Sequence, residues 1–513
     1  MKTNWKALLG GFIMLALVPA SLSALNVVYT NNDGTSGNSV SAYAVDTNGT
    51  LGLIASYSTG GTGTGGGLYA SNRIIVSNNF LFASNAGSNN VSAFTIDSTT
   101  GDLSVVPGSP FATGGYNNSG ESGISLAATP DGKYLYAGNT GSQDVTVFSI
   151  GSGGALTQIG STVYVAGTMA SMKVSPDGRF LVLAFPDLSE VAVYSIASDG
   201  TLQAVQNSPF SIGATATGVD MDCASSHVFV GLAYSNSVEV YNIDSSTGAL
   251  TLNSVSPAIP SVSSAQVVQL SPDDKTLYVS NQGAHAVSAF SVASDGTLTL
   301  ATATPVGTGN TYAYPGGLAI NSDGTFLFTG DPNPAISVFG AGGSTPLVLD
   351  SYFPTGLTYG LHSVAAYPPK VCSIPTSLAA TIEISAGPPP SFDLNATFTL
   401  DSGGGAVDPL TQPVTLVIGD YSVTIPAGSF NLQQQGTNTG IYVFQGVINS
   451  TTLKIQIAPL GQNQFQITAF GKQVDLTGLT NPVSVEATIG GSSAGTSVTA
   501  TFPDSLRGLW SAQ

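Results

Sequence analysis

NVSAFTI at residues 90–96 and DVTVFSI at 144–150 are two copies of one short pattern. Five more copies stand along the chain: SVSAYAV (39–45), EVAVYSI (190–196), SVEVYNI (237–243), AVSAFSV (286–292) and AISVFGA (335–341). Their aromatic anchors are Tyr43, Phe94, Phe148, Tyr194, Tyr241, Phe290 and Phe339, separated by 51, 54, 46, 47, 49 and 49 residues. Apolar residues alternate with small or polar ones inside each copy, which is the period of a strand and not of a helix. A repeat of about fifty residues holds several strands that cannot bury both faces alone, so neighbouring copies must stack.

Working outward, most copies are preceded by a run that follows a turn: PDGKYLYAGN from Pro130, PDGRFLVLA from Pro176, PDDKTLYVSN from Pro272 and NSDGTFLFTG from Asn321. Proline fixes φ, aspartate bonds to its own following backbone and glycine accepts φ > 0, so these residues predict a hairpin. Downstream, SDGTL at Ser198 and Ser294, TNGTL at Thr47, TTGDL near Thr99 and STGAL at Ser246 mark a turn into a fourth strand. Seven four-stranded units predict a seven-bladed β-propeller over residues 25–369. The first unit begins near Asn26 directly in its second strand, VVYT. LHSVAAYPP at Leu361–Pro369 reads as the missing first strand, closing the ring from its other end. The competing reading is a linear solenoid with His362 in a linker.

The chain has 513 residues, 62 of them glycine, with 11 Lys or Arg, 29 Asp or Glu and a net charge of −18. So few cations exclude nucleic acid and anionic membrane surfaces as partners, since both need basic patches. Residues 1–24, MKTNWKALLGGFIMLALVPASLSA, place Lys2 and Lys6 before an apolar run and end in small residues, the pattern of a secretory signal peptide cut near Ser23 or Ala24. An uncleaved anchor is the alternative. No later stretch is long enough to span a bilayer. The expected location is secreted or periplasmic, and losing the two lysines takes the charge from −18 to −20.

After Lys370 the repeat stops. Residues 370–385 read as a linker and the first strand of a second domain, and 386–513 as a β-sandwich-like domain with strand runs at 395–400, 413–418, 422–425, 441–448, 453–457, 465–469 and 483–489. VDPLTQPVTLVIGDYSVT from Val407 is faintly echoed by VDLTGLTNPVSVEATIG from Val474, 67 residues on. Such domains commonly bind, space or attach.

In a propeller, the loops between strands 2 and 3 and those leading into the next unit share one face, where ligands gather. That face carries Asn31, Asp33, Asn85, Asn139, Asp187, Asn281 and Asp331 as candidate ligand-binding residues, with Glu121 in the loop FATGGYNNSGESG and His362 at the start of the closing strand. These oxygen donors could hold calcium, although no DxDxDG-type loop concentrates them. Turn capping is the alternative role for the Asn and Asp residues, and no other cofactor is expected. Arg73 and Lys173 are read at equivalent near-channel positions, with Gln269 at the same place in a third unit. They could meet an anionic ligand, or pair with inward acids such as Asp220 or Asp222.

Three histidines, His227, His285 and His362, fall in different strand contexts, with His227 beside a hairpin turn on the opposite face. No metal centre of histidines, GxSxG elbow or phosphate-cradling loop is expected. Cys223 and Cys372 are the only cysteines. Export permits them to bond, and such a bond would cross the rear of the channel and pin the second domain.

The strand pairs PDGKYLYAGN and SNxG, followed by VxVFSI and a GxL turn in all seven copies, resemble the lactonase-like seven-bladed propellers and the related surface-protein repeats named for a Tyr-Val-Thr-Asn motif. The resemblance covers residues 26–369. It implies two contrary functions: some members hydrolyse sugar lactones or cyclise muconates, while many exported ones are repeat proteins without known chemistry. The lactonases carry His, Arg and Glu at the channel mouth, and approximate strand position offers Arg73, Glu121 and His362 for those roles. With so few such groups, the leading expectation is an exported binding or cell-envelope module whose partner is a glycan, an envelope component or a small anionic molecule. The alternative is a hydrolase of a small sugar lactone.

Overall fold

The computed structural model describes residues 25–500 apart from 67–70, 118–122, 261–263, 302–304, 310–315, 332, 342–346, 359–362, 371–374, 386–388, 401–408, 411–412, 420, 436–437, 449, 462–463, 475, 477–482 and 490–491. Seven antiparallel sheets of four or five strands account for residues 27–367, and two further sheets lie beyond. The seven are called units 1 to 7 below. Unit 2 shows the plan: Ile74–Ser77, Phe80–Asn85, Asn90–Ile96 and Leu103–Val105 pair in chain order.

Unit 1 takes one strand from the far end of the repeats. Val27–Asn31 pairs antiparallel with Val364–Tyr367, in a register running from Val27 opposite Tyr367 to Thr30 opposite Val364. The first strands of neighbouring units touch, from Ile74–Ser77 through Gly317–Ile320, and the series of contacts returns to the start through Val364–Tyr367. The expected completion of the first unit by the last strand is therefore present in the backbone pairing.

Second and third strands are buried along nearly their whole length because a neighbouring unit covers each face. The anchors Phe94, Phe148, Phe290 and Phe339 are fully buried. Apolar clusters fill the spaces between units: Val27 and Tyr29 of unit 1 pack with Leu81, Ala83 and Phe94 of unit 2. Tyr43 and Leu51 of unit 1 pack with Phe328, Ile336 and Val338 of unit 7.

The fourth strand departs from expectation in units 2, 3, 4 and 6. There it stops after three residues, and a separate two-residue strand (Phe111–Ala112, Val163–Tyr164, Phe210–Ser211 or Val306–Gly307) pairs with the start of the third strand instead. In units 2 and 4 a serine fills the gap this leaves in the ladder: Ser109 Oγ and Ser208 Oγ accept from the backbone N–H of Ala93 and Val193 at 3.0 and 2.9 Å.

The region after residue 375 folds into a six-stranded and a four-stranded sheet. One apolar core joins them, with Ile382, Phe392, Leu394, Leu453 and Ile455 on the first and Leu416, Val423 and Val485 on the second. The two echoing stretches are neighbours in space: Val414–Ile418 pairs antiparallel with Val483–Ile489, Val414 opposite Ile489 and Ile418 opposite Val485.

Candidate functional site

Antiparallel pairing brings the ends of the second strands, the starts of the third and the loops entering the next unit to one face, the mouth. A hydrogen-bonded belt runs beneath it. Asn85 Nδ2 donates to Ser92 Oγ at 2.8 Å, and Ser92 Oγ donates to the Thr59 carbonyl of the incoming loop at 2.7 Å. Asn139 repeats this through Thr146 to the Thr113 carbonyl, and Asn281 donates to Ser288 at 2.8 Å. These asparagines are fully buried, so they hold strands and loops together at the positions where ligand contacts were anticipated. In unit 1 the belt position falls on Asn32, which donates to Ser41 Oγ at 2.8 Å. Asn31, the residue read from the sequence, instead turns inward to the carbonyls of Arg73 and Ser84 at 3.1 and 2.8 Å.

Sequence reading passed over the loop partner of this belt, although a signal was present. Thr59-Gly60-Gly61 and Thr113-Gly114-Gly115 recur directly after the last strands of units 1 and 2, where the chain leaves for the next unit. Each threonine hydroxyl donates to a carbonyl of the preceding unit, Asn38 at 3.0 Å and Asn89 at 3.1 Å. The last glycine of each triplet presses on the belt amide, where an added Cβ would come within 2.5 Å of Asn85 and 2.4 Å of Asn139.

Arg73 stands just before the first strand of unit 2, at the mouth end. Its guanidinium lies 2.9 Å from the Asp33 carboxylate, with side-chain exposures of 2% and 3%. Asp33, in a left-handed backbone conformation, also accepts from the N–H groups of Thr64 and Gly66 at 3.0 and 3.1 Å, and Arg73 N–H donates to Ser363 Oγ at 3.0 Å. Two of the candidate residues are thus brought together as one buried pair spanning units 1 and 2. Burial pushes the guanidinium below its ordinary value, and the charge of Asp33 opposes that shift.

Lys173 is not the equivalent of Arg73. Arg73 lies opposite Ser84 and Lys173 opposite Val182, which places the counterpart of Arg73 at Ser171, two residues earlier. The error comes from loops of unequal length ahead of these short strands. Lys173 does share a level with Gln269, as read, and also with Asp220, opposite Tyr278 and Phe229. The remaining units supply Ala365, Ile75, Ala127 and Ala319 at that level. Lys173 Nζ, one-third exposed, lies 2.7 Å from the buried Asp220 carboxylate, and Gln269 Nε2 donates to the same carboxylate at 3.1 Å. Burial alone would raise Asp220, but Lys173 and then Lys370 hold it below the usual carboxylate range.

At the rear, His227 Nδ1 lies 2.7 Å from Asp222 Oδ2. Cys223 is disulfide-bonded, and its N–H donates to Asp274 at 2.6 Å. Lys370, just past the closing strand of unit 1, reaches Asp274 of unit 6 at 3.3 Å. Glu121, His362 and Cys372 lie outside the described residues. Asp187 is exposed and accepts from the N–H of Thr168 at 3.1 Å, tying the turn between the second and third strands of unit 4 to the loop that enters the unit. His285 sits in a left-handed turn position of unit 6 equivalent to those of Asn89, Gln143 and Ser189. Among the described residues there is no cluster of three or more His, Cys, Asp or Glu that could hold a metal, and no helix long and apolar enough to cross a membrane.

The repeat, the stacked sheets and the contacts that return to their start define a β-repeat protein built on the propeller plan. Residues 27–170, 165–267 and 262–339 match the family described as "Lactonase, 7-bladed beta-propeller", and the chain belongs to that family. No curated protein matches it. Among solved structures it is similar to a candidate 6-phosphogluconolactonase from Bacteroides fragilis, at 19% identity over 68% of this chain and 99% of that one, with a TM-score of 0.54. A Pseudomonas aeruginosa protein described as a periplasmic gluconolactonase has 18% identity, 65% and 97% coverage and a TM-score of 0.54. A Lactobacillus plantarum protein has 20% identity, 67% and 99% coverage and a TM-score of 0.52. At these identities the structures speak for the fold. The family match backs the hydrolase reading better than the purely structural one.

Proposed function

We propose that this protein is an exported, lactonase-like hydrolase of a small lactone, working in the periplasm or outside the cell. The seven units then form a closed propeller, and the C-terminal sheets a sandwich that positions it. Family membership over residues 27–339 carries the reading. The leader-like residues 1–24 support export.

Lactone opening adds water to the ring carbonyl, passes through a tetrahedral oxyanion and breaks the ring C–O bond to leave a hydroxy acid. The reaction needs a base for the water and fixed positive charge near the oxyanion. His362 takes the water's proton, Glu121 orients the water, and Arg73 supplies the charge. Pairing with Asp33 fixes the guanidinium before substrate arrives, so little reorganisation is left for the reaction itself. A calcium ion held by the oxygen-rich mouth is a further element of the proposal, read out by comparing activity with calcium and with chelator.

The test is a panel of aldonolactones and simple γ- and δ-lactones, followed by acid release, with the full chain and with Arg73→Met and His362→Ala. Turnover that falls at least about a hundredfold in His362→Ala, while folding is retained, supports the reading. Silence across the panel, together with binding to glycan or envelope material, returns the protein to the binding role.

A further inference from the structure

Unit 7 breaks the belt in one atom. Asp331 takes the position that Asn85 and Asn139 hold in units 2 and 3, Ser337 takes that of Ser92 and Thr146, and Thr308 that of Thr59 and Thr113. Ser337 Oγ lies 2.8 Å from the Thr308 carbonyl and 3.1 Å from Asp331 Oδ2. A hydroxyl has one proton. In units 2 and 3 that proton goes to the loop carbonyl, and the asparagine amide donates to the hydroxyl oxygen. The same arrangement in unit 7 needs a donor at position 331, and an ionised carboxylate is acceptor only. Asp331 is fully buried, and its Oδ1 has no hydrogen-bond partner among the described residues.

We propose that Asp331 is a protonated carboxylic acid that replaces the belt asparagine of unit 7 and acts as a pH-responsive latch on the Thr308 loop at the mouth. With its proton, Asp331 donates to Ser337 Oγ, and Ser337 donates to the Thr308 carbonyl. On ionisation the carboxyl proton leaves for solvent and the Ser337 proton turns to Asp331 Oδ2. The Thr308 carbonyl then loses that donor, and a buried negative charge is left with only the Ser337 and Thr329 hydroxyls to oppose it. Thr308 N–H stays on the His285 carbonyl.

Among the described residues, the titratable side chains on the elements packed around Asp331 include Tyr352 and Asp350 of Leu347–Pro354, His285 of the unit 6 turn and Tyr43 of unit 1, which lies in the apolar cluster with Phe328 and Val338. Asp350 lies against Gly340, at the far end of the sheet. Burial raises Tyr352, and a charge on Asp331 adds to that. Burial, opposed only by the Ser337 and Thr329 hydroxyls, pushes Asp331 up to about 7. Because its pKa is raised on folding, the stability it contributes is complete below its ordinary value of 3.8 and is lost as pH rises through about 7.

The experiment is a carboxyl 13C NMR titration of the full chain labelled at aspartate, with Asp331→Asn identifying the resonance. A midpoint more than two pH units above the ordinary aspartate value is expected, and a midpoint below 5 overturns the proposal. In thermal unfolding, the wild-type Tm should fall relative to Asp331→Asn between pH 4.5 and 7.5, since the amide is a permanent donor. Parallel curves overturn the latch. If Asp331→Asn does not fold, Ser337→Ala serves in its place: losing the hydroxyl should move the high titration further up, and an unmoved titration counts against the assignment.

Discussion

Gly200 of unit 4 lies flat on the ring of Tyr134 in unit 3, so close that an added Cβ would stand 2.4 Å from Tyr134 Cδ1. The neighbouring Tyr136 hydroxyl donates to the Gly200 carbonyl at 3.0 Å. The same joint recurs as Gly154 on Phe80, Gly248 on Phe180 and Gly296 on His227, and Gly49 of unit 1 meets Phe326 of unit 7. In units 1 to 6 the turn glycine after the third strand is thus the place where one unit meets its neighbour. Gly200 also has φ +84°. Gly200→Ala should cost about 2–4 kcal/mol, combining left-handed strain with overpacking. Gly153→Ala, with nothing within 4 Å, should stay within about 0.5 kcal/mol. Urea unfolding of the two variants makes the comparison, and equal losses would remove the joint.

The Arg73–Asp33 pair predicts an asymmetry. Asp33→Asn keeps a residue suited to the left-handed backbone but leaves a buried guanidinium without its counter-charge. The expected loss is about 3–5 kcal/mol. Adding Arg73→Met should recover part of that stability, because no uncompensated charge remains, while leaving lactone turnover low. A double-mutant cycle on unfolding, run beside the activity assay, separates the two roles. Independent, additive losses would mean that the pair is not coupled.

His227 and Asp222 give a pH signature at the rear. The hydrogen bond to Asp222 is the largest influence on His227 and raises it above 6.5, against desolvation. Stability from this pair is therefore complete below the ordinary histidine value and lost as pH rises through the raised one. Asp222 is held below its usual range by His227 and Ser226 despite burial, so its share is lost as pH falls through that lowered value. His227→Gln should flatten the decline above pH 6.5 and cost about 1–3 kcal/mol at pH 6, the scale of a hydrogen bond between charged groups. Thermal melts at half-unit pH steps read both, and an unchanged slope would show that His227 does not titrate as a partner of Asp222.

How much of this was legible follows from where the information lies. Each anchor aromatic is locally patterned within its own repeat, although neighbouring units bury it, so seven units and the role of Val364–Tyr367 could be read from the sequence pattern. The level of Lys173 could not, because it depends on how many residues the incoming loop uses before pairing begins, and those loops differ. Asn31 was taken for Asn32 because two asparagines end that strand, and the turn from Asn32 to its partner Ser39 is two residues longer than that from Asn85 to Asn90, so a fixed count from the third strand does not choose between them. The Arg73–Asp33 pair joins residues 40 apart on different units, and no local pattern announces it. Thr-Gly-Gly was legible and overlooked, since glycine next to threonine reads as an ordinary loop until the buried amide beneath it is known.

Lys173 offers a test of the corrected register. If it faces Asp220, Lys173→Met strips a buried carboxylate of its nearest cation while Lys370 still acts from further away. The expected loss is about 1–3 kcal/mol, below that of a fully buried pair because Lys173 is one-third exposed. Asp220 would also rise toward or above its usual value, so the stability that the wild type loses as pH falls through the lowered Asp220 value should shrink in the variant. A variant with unchanged acid sensitivity would place Lys173 elsewhere.

The strand that completes unit 1 gives the largest predicted effect. Val364, Ala365, Ala366 and Tyr367 are all buried, and the Tyr367 hydroxyl donates to Asn79 of unit 2 at 3.2 Å. Removing residues 361–369 exposes the paired edge of Val27–Asn31 and opens the apolar clusters shared with units 2 and 7. Because adjacent units stabilise one another, losing one seam should abolish a single cooperative transition and leave broad, early melting. A stop after Ser373 is the matched control: it keeps the closing strand and both cysteines and deletes a region whose core, among the described residues, is built from Ala380 onward. That shorter chain should melt cooperatively within a few degrees of the same transition in the full chain. If the internal deletion melts like the control, the ring does not depend on its last strand and the seven units behave as an open row.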